Sequence, residues 1–426
     1  MNNFPDLIVK NIGLLATPEG KCAKKGKEQG KIKLIEDAFI AVQGDTITGV
    51  GTEEQLKALE KQRNFCYKTQ IVDAGGSLVT PGLVDPHTHL IFSGWRQKEL
   101  SLKLKGMSYL EILKMGGGIL NTVKNTRRAS LEDLIQNGRT ALDRMMTHGT
   151  TTCEAKSGYG LNVEDEIKSL EAIRELNKIH PMELVPTFLG AHAVPEEYKG
   201  KTGEYVELIN KQMIPRVAGE HLAEFCDVFC EQGVFSVDES RKILECGKNH
   251  GLIPKVHADE MTSLGGANLA AEVGAISADH LIHAGDEGLC AMAEKSVVAV
   301  LLPGTSLFLN ESFARARTMI EMGIPVALAT DFNPGSCPTE SLQLVMNLAC
   351  MKYRMIPEEV LTAVTLNAAS AINMASTIGS IEPGKQADIV IWNAPDLDFI
   401  IYHFGVNLVK TVIKKGKFTV NDGQVI

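Results

Sequence analysis

The sequence has no C-x-x-C pair, no second cysteine pair that could complete a zinc site with Cys226 and Cys230, and no apolar run long enough to cross a membrane. Its nine cysteines are scattered without a C-x-x-C motif, and an odd number cannot all pair within one chain. This pattern argues against a disulfide framework and suits a reducing compartment. A membrane span would need roughly 18 or more consecutive apolar residues, and the chain has no such run. We therefore expect no membrane partner.

The sequence also lacks the basic surface that nucleic acids require. Its 43 basic and 52 acidic residues give a net charge of −9, and no basic stripe with interleaved aromatic residues occurs. The first residues, MNNFPDLIVKNIG, lack the basic start and apolar core of a signal peptide. We expect a cytoplasmic protein that acts on a small molecule and binds no nucleic acid. Its helical segments are compatible with a homodimer, although no single stretch predicts one.

Both ends of the chain read as short strands separated by turns. At the N-terminal end these are DLIVKNIGLLA, AFIAVQGDTITGVG and IVDAGGSLVTPG, and at the C-terminal end ADIVIWNA and LVKTVIKKGKFTV. Neither end carries the long helical periodicity of the middle. We predict that residues 1–78 and 378–426 meet in one small, discontinuous β-sandwich domain.

The middle of the chain, residues 79–377, alternates short apolar runs with amphipathic helical segments. This alternation is typical of a parallel α/β sheet. Roughly eight strands can be counted, a number that favours a closed TIM-like (β/α)₈ barrel. An open doubly wound sheet would more often carry a glycine-rich phosphate motif after its first strand, and that motif is absent.

Polar side chains follow the predicted barrel strands at the points where these strands end. Catalytic groups of such barrels come from the carboxyl ends of several strands. The strand-end residues are His87 and His89, Glu154 and Lys156, His192, His257, His280 and Asp331. Residues i and i+2 of an extended segment point the same way, so His87 and His89 can hold one ion together. Nitrogen and oxygen donors of this kind suit Zn²⁺ or Fe.

Glu260 lies three residues after His257, in the segment HADE. A carboxylate beside an activated water can take its proton and pass it to a leaving nitrogen. The alternative is a surface glutamate at the start of a helix, where the helix dipole favours it. The neighbouring histidine favours the catalytic interpretation.

The segments VDPHTH, VHADE, ADH and ATDFNPG resemble the amidohydrolase superfamily of metal-dependent barrels. More narrowly, GLVDPHTHLIFSGWRQKE, YLEILKMGGGI, CEAKSGYGL, GAHAVP and ATDFNPGS resemble the imidazolonepropionase family. The resemblance implies one Zn²⁺ or Fe ion per subunit, with the ligands His87, His89, His257 and Asp331. It also implies that His280 hydrogen-bonds the attacking water, so that Glu260, His280 and Asp331 form the catalytic group. The alternative for His280 is a fifth metal ligand or a core residue.

The family resemblance further implies a substrate, 4-imidazolone-5-propanoate, and the residues that bind it. Arg96 would clamp the propionate carboxylate with its bidentate fork. The other implied substrate contacts are Tyr159, His192, Glu260, Asn333, Gly335 and Ser336. The implied reaction is hydrolysis of the ring amide to N-formimidoyl-L-glutamate, the third step of histidine degradation.

Three alternatives bear on this interpretation. A purine or pyrimidine deaminase of the same superfamily would share the metal residues and Glu260, but it would have no propionate for Arg96. A non-catalytic barrel is a second alternative, which the complete set of metal residues and Glu260 disfavours. Thirdly, some related barrels carbamylate a strand-end lysine to bridge two metals. The segment KSGYGL instead resembles the mononuclear family, so we interpret Lys156 as a structural or ion-paired lysine.

Overall fold

Two β-sheets organise the chain, one curled into a barrel and one built from both ends of the sequence. The structure is a computed structural model that describes residues 5–62, 69–107, 111, 115 and 117–426. The described strands are β1 (Leu7–Thr17), β2 (Lys33–Gln43), β3 (Thr46–Thr52), β4 (Gln70–Asp73), β5 (Leu78–Pro81), β6 (Leu83–Asp85), β7 (Thr150–Lys156), β8 (Glu183–Ala191), β9 (Phe225–Cys230), β10 (Ile253–Ala258), β11 (Ser277–His280), β12 (Val298–Leu301), β13 (Val326–Leu328), β14 (Ile389–Trp392), β15 (Val409–Lys414), β16 (Lys417–Asn421) and β17 (Gln424–Val425).

Helices connect and cover these strands. The described helices are α1 (Glu53–Gln62), α2 (Gln97–Leu104), α3 (Ile119–Arg128), α4 (Leu131–Thr147), α5 (Val163–Ile179), α6 (Thr202–Leu208), α7 (Ile214–Gly219), α8 (Val237–Asn249), α9 (Gly266–Val273), α10 (Asp286–Lys295), α11 (Pro303–Leu309), α12 (Ala316–Glu321), α13 (Leu342–Tyr353), α14 (Pro357–Ala363), α15 (Leu366–Ala371) and α16 (Leu397–Tyr402). A π-helical turn, Ile209–Met213, joins α6 to α7. No helix within the described ranges is long and apolar enough to span a membrane.

The barrel consists of β6 to β13, eight parallel strands that neighbour one another in chain order. Just beyond β6 and β13, the amide of Asp331 donates to the carbonyl of His87 at 3.1 Å. The amide of His89 donates to the carbonyl of Phe332 at 2.9 Å, so the first and last strands meet. The predicted (β/α)₈ barrel is confirmed, and its closure lies directly at the predicted metal ligands.

The barrel helices form where the sequence has amphipathic periodicity and capping residues. Helix α4 starts at a capping box in which Ser130 and Asp133 exchange side-chain and backbone hydrogen bonds. Its buried face includes Leu134, Leu142 and Met146 and belongs to the main core cluster. Burial of this face makes the helix part of the barrel wall rather than a free amphipathic segment.

The small β-domain is a nine-stranded mixed sheet built from both ends of the chain. Its strand order is β17-β16-β15-β14-β5-β1-β2-β3, and β4 pairs with β1. The two ends of the chain join where β14 pairs antiparallel with β5, Ile389 opposite Pro81. This confirms a small β-domain drawn from both termini, while the boundaries at residues 78, 79, 377 and 378 stay predictions. Strand β5 leads straight into β6 and so connects the two sheets.

The segment between β1 and β2 leaves the small domain and packs under the barrel. A 3₁₀ turn, Gly26–Gly30, carries the buried side chain of Gln29 to the start of β13. Its amide group donates to the carbonyl of Val326 at 3.0 Å, and its oxygen accepts from the Val326 amide at 3.1 Å. This strand-like exchange attaches the segment between β1 and β2 to the amino-terminal end of the barrel.

Candidate metal centre and substrate pocket

Five predicted side chains converge at the carboxyl ends of the barrel strands. His87 and His89 lie just after β6, His257 is in β10, His280 ends β11, and Asp331 follows β13. All five are buried. Asp331 Oδ1 lies 3.5 Å from His87 Nε2 and 3.4 Å from His89 Nε2, and His257 Nε2 lies 3.5 Å from His89 Nε2. The barrel thus brings these side chains into one cluster.

The donor atoms of this cluster fit a metal ion. His87 Nε2 and Asp331 Oδ1 are buried and have no hydrogen-bond partner among the described residues. Unpaired buried polar atoms are costly unless something else satisfies them. Ligand atoms of His87, His89 and Asp331 lie within 4.8 Å of one another, and so do those of His87, His257 and His280. Imidazole and carboxylate donors at these separations match the shell expected for Zn²⁺ or Fe.

Two carboxylates that the sequence reading did not select lie behind the histidines. His87 Nδ1 donates to Asp279 Oδ2 at 2.6 Å, and His257 Nδ1 lies 2.9 Å from Asp227 Oδ2. A carboxylate on Nδ1 leaves the Nε2 lone pair directed at the metal site and makes it more basic. One signal was available, since Asp227 interrupts the apolar run FCDVFC in β9 and Asp279 stands inside β11.

A fully buried charge network supports these carboxylates. Lys156 Nζ donates to Asp227 Oδ2 at 2.7 Å and lies 2.9 Å from Glu154 and 3.8 Å from Asp279 Oδ2. Lys255 Nζ also lies 2.9 Å from the Glu154 carboxylate. Burial opposes the charged form of Lys156, but Asp227 and Glu154 raise its pKa above the ordinary lysine value. Lys156 is therefore an ion-paired lysine in this structure.

Glu260 lies beside the cluster, and its Oε2 is 3.6 Å from His280 Nε2. Burial, followed by the nearby charge of Asp331, raises the pKa of Glu260 to about 8. The helix-start role belongs to its neighbour instead, because the Asp259 carboxylate accepts the amides of residues 264–267 at the start of α9. Glu260 thus does not cap α9, and its raised pKa suits proton transfer near neutral pH.

Tyr159 and His192 form one wall beside the metal cluster. The ring of His192 stacks on His89, with centroids 4.7 Å apart and planes at 11°. Tyr159 is buried, with its ring centroid 5.3 Å from that of His192 and 5.9 Å from that of His89. His192 Nδ1 donates to the carbonyl of Gly158 at 3.1 Å. Both predicted pocket residues therefore lie against a predicted metal ligand.

Arg96 and the turn after Asp331 form a second wall. The guanidinium packs directly on Gly335, where an added Cβ would lie 1.2 Å from Arg96 Nη2. Arg96 Nε is buried and unpaired among the described residues, and its nearest carboxylate oxygen, on Glu99, is 3.8 Å away. The side-chain oxygen of Asn333 accepts hydrogen bonds from the amides of Gly335 and Ser336 at 2.8 and 2.7 Å, so it holds the turn in place.

Most of the segment YLEILKMGGGI, which carried part of the family resemblance, lies outside the described residues.

Solved structures with the same fold include a deaminase and a chlorohydrolase, both with zinc. An adenosine deaminase from Xanthomonas campestris with bound zinc aligns with a TM-score of 0.70 and 19% identity, over 99% of this chain and 94% of that one. An atrazine chlorohydrolase mutant from Arthrobacter aurescens, complexed with zinc and atraton, aligns with a TM-score of 0.76 and 15% identity, over 99% and 96%. At these identities the likeness is one of fold.

Sequence relatives define the family more closely. The amidohydrolase family model matches residues 78–419. The imidazolonepropionase of Alkaliphilus oremlandii is 54% identical over 99% of both chains. That of Shouchella clausii is 53% identical over 95% of this chain and 90% of its own. The chain therefore belongs to the amidohydrolase family, is a hydrolase, and falls within its imidazolonepropionase group.

Proposed function

We propose that the protein hydrolyses the ring amide of 4-imidazolone-5-propanoate to N-formimidoyl-L-glutamate, the third step of histidine degradation, in the cytoplasm. The observation that carries this proposal is the Arg96 side chain, whose buried Nε has no hydrogen-bond partner among the described residues and lies 3.8 Å from the Glu99 carboxylate. A mostly buried cation with an unpaired donor favours a ligand that carries a carboxylate, and the propionate arm of the substrate supplies one. The substrate is a small molecule, and the homodimer stays a prediction.

The metal cofactor we propose is one Zn²⁺ or Fe ion held by His87, His89, His257 and Asp331. The unpaired atoms of the cluster support it, and the adenosine deaminase and atrazine chlorohydrolase structures contain zinc. Such an ion would lower the pKa of a bound water toward ~7 and supply hydroxide at neutral pH. Carbamylation of a lysine needs a neutral amine, and the ion pairs of Lys156 oppose that form.

Glu260 is the proton carrier in this scheme. In its ionised form it accepts a proton from the attacking water as the water oxygen bonds to the ring carbonyl carbon. The same carboxyl group then gives that proton to the ring nitrogen as the C–N bond breaks, so atoms and charge balance. Burial of Glu260 raises its pKa and so makes the protonated form, which is needed as the proton donor, accessible near neutral pH. We assign to His280, whose Nε2 lies 3.6 Å from Glu260 Oε2, the hydrogen bond to the attacking water.

The remaining pocket residues orient the substrate. Arg96 binds the propionate, while Tyr159 and His192 contact the flat ring from the wall beside His89. The side chain of Asn333 is used in hydrogen bonds within its turn. It therefore acts indirectly, by holding the backbone of Gly335 and the hydroxyl of Ser336 in position to contact the substrate. Binding at both ends fixes the ring carbonyl at the metal cluster, which is the positioning that speeds such reactions.

The experiment is a spectroscopic assay of imidazolone ring opening by the metal-loaded protein. Glu260→Gln should abolish turnover while the bound metal, measured by elemental analysis, stays at the wild-type level. Arg96→Met should raise KM by about 10- to 100-fold, the equivalent of losing charge-assisted hydrogen bonds of ~1.5–3 kcal/mol. Arg174→Met is the matched control, since Arg174 lies half exposed on α5 and pairs only at 3.4 Å with Glu171.

Two results would overturn the proposal. One is an unchanged KM for Arg96→Met, because the propionate would then bind elsewhere. The other is a metal-loaded wild type that opens no imidazolone ring but releases ammonia from a purine or pyrimidine base, which would assign the deaminase activity instead.

A further inference from the structure

The loop between β7 and α5, residues 157–161, has a backbone that needs external support. Gly158 has φ +111° and Leu161 has φ +51°. A left-handed conformation at a leucine is unfavourable by about 1–3 kcal/mol and persists only where the surroundings hold it. The loop carries Tyr159, so whatever holds its backbone also sets the position of that ring.

Glu166 holds the amide side of this loop. It lies in the first turn of α5, yet its side chain turns back and is fully buried. Its carboxylate accepts the amide of Gly158 at 3.1 Å and the amides of Gly160 and Leu161 at 2.8 Å each. Three amides directed at one carboxylate form a nest of charge-assisted hydrogen bonds.

Arg127 holds the carbonyl side of the same loop from the last turn of α3. Its Nε donates to the carbonyl of Gly160 at 2.7 Å, and its Nη2 donates to the carbonyl of Leu161 at 3.1 Å. Nη2 also lies 2.8 Å from the Glu197 carboxylate, just beyond His192 in the sequence. Both polar edges of the loop are therefore fixed by charged side chains from two different helices.

The supported loop reaches His192 as well as carrying Tyr159. The carbonyl of Gly158 accepts from His192 Nδ1, and an added Cβ at Gly158 would lie 3.0 Å from that nitrogen. A carbonyl can only accept, so Nδ1 carries the proton and Nε2 of the neutral ring is left as an acceptor. The loop thus sets both the ring position of Tyr159 and the tautomer of His192.

We propose that Glu166 and Arg127 are positioning residues for substrate recognition, acting through the 157–161 loop on Tyr159 and His192. This inference rests on the substrate role proposed above for those two side chains. It differs from a general stabilising role, because the pair touches neither the metal cluster nor Glu260 through any described contact. Loosening the loop should therefore weaken substrate binding more than it slows the chemical step.

The test compares Glu166→Gln with Glu164→Gln in the full-length, metal-loaded protein. Glu164 lies in the same helical turn, is 78% exposed and pairs with Arg216, so its variant changes the helix charge equally but leaves the loop alone. Arg127→Met is a second variant, at a partly exposed position, and it keeps the inference testable if Glu166→Gln fails to fold. Each variant is measured by hydrogen–deuterium exchange of the 157–161 amides and by steady-state kinetics on imidazolonepropionate.

We expect Glu166→Gln and Arg127→Met to speed amide exchange in the loop by about tenfold or more, as loss of charge-assisted hydrogen bonds implies. We expect KM to rise about tenfold, with kcat within about threefold and metal content unchanged. Glu164→Gln should match the wild type in every measurement. Exchange at the wild-type rate in both loop variants would overturn the inference, and so would equal losses in kcat and kcat/KM. If even the wild type fails to turn over imidazolonepropionate, the proposed function fails, while the exchange data still test the support of the loop.

Discussion

Replacing Asp279 by asparagine should weaken metal binding through His87 while leaving every proposed ligand in place. Asp279 Oδ2 lies 2.6 Å from His87 Nδ1, both side chains are fully buried, and Ser277 Oγ donates to the other carboxylate oxygen at 2.7 Å. Asparagine keeps the size but removes the negative charge that makes the imidazole a stronger ligand. Loss of such a supporting partner weakens metal affinity by about 10- to 100-fold, which corresponds to about 1.4–2.7 kcal/mol.

The affinity would be measured on apo-protein by competition with a chelator of known zinc affinity. Asp143→Asn is the matched control, because it makes the same change 3.3 Å from another histidine, His180, at a site where Asp143 is 40% exposed. The control should bind metal like the wild type. Equal affinities for Asp279→Asn and the wild type would refute the idea that this carboxylate tunes His87.

Two further substitutions test other parts of the structure. Lys156→Met leaves buried carboxylates without their main counter-charge, and we expect the free energy of unfolding in urea to fall by about 3–5 kcal/mol. Lys178→Met breaks an exposed ion pair and should cost less than about 1 kcal/mol, so equal costs for the two would contradict a buried network. Gly335→Ala places a methyl group 1.2 Å from Arg96 Nη2 and should raise KM, whereas Gly203→Ala, in open space, should not. An unchanged KM for Gly335→Ala would mean that this contact does not position Arg96.

The sequence predicts the barrel well because its elements follow local rules. The segment LEDLIQNGRTALDRMMT forms α4 because its apolar spacing and capping box favour a helix at that place. The path of residues 18–32 under the barrel follows no local rule. Gln29 binds Val326 across almost 300 positions, and a lone polar residue in a glycine- and lysine-rich segment reads as a surface turn. Such a contact depends on the finished fold.

The residues of the candidate site likewise divide into those that the sequence predicts and those whose role appears only in the folded chain. The histidines are predictable because barrel strands bring their carboxyl ends together, whatever the details of packing. Asp279 is harder to recognise, because its role depends on the position of His87, which lies almost 200 residues earlier. Glu166 has a misleading local signal, since an acidic residue in the first helical turn is explained by the helix dipole alone. Its burial and its three amide partners appear only in three dimensions.

The charged layer inside the barrel follows from the metal centre above it. At the amino-terminal ends of the strands the interior is apolar, with Phe225 and Val298 packed in one cluster with α15. One layer higher, the histidines need carboxylates to orient them, and buried carboxylates need cations because water cannot reach them. Lys156 meets that need from β7. An apolar side chain at the position of Lys156 would leave the buried carboxylates without a counter-charge. The metal centre therefore dictates the polarity of the barrel interior beneath it.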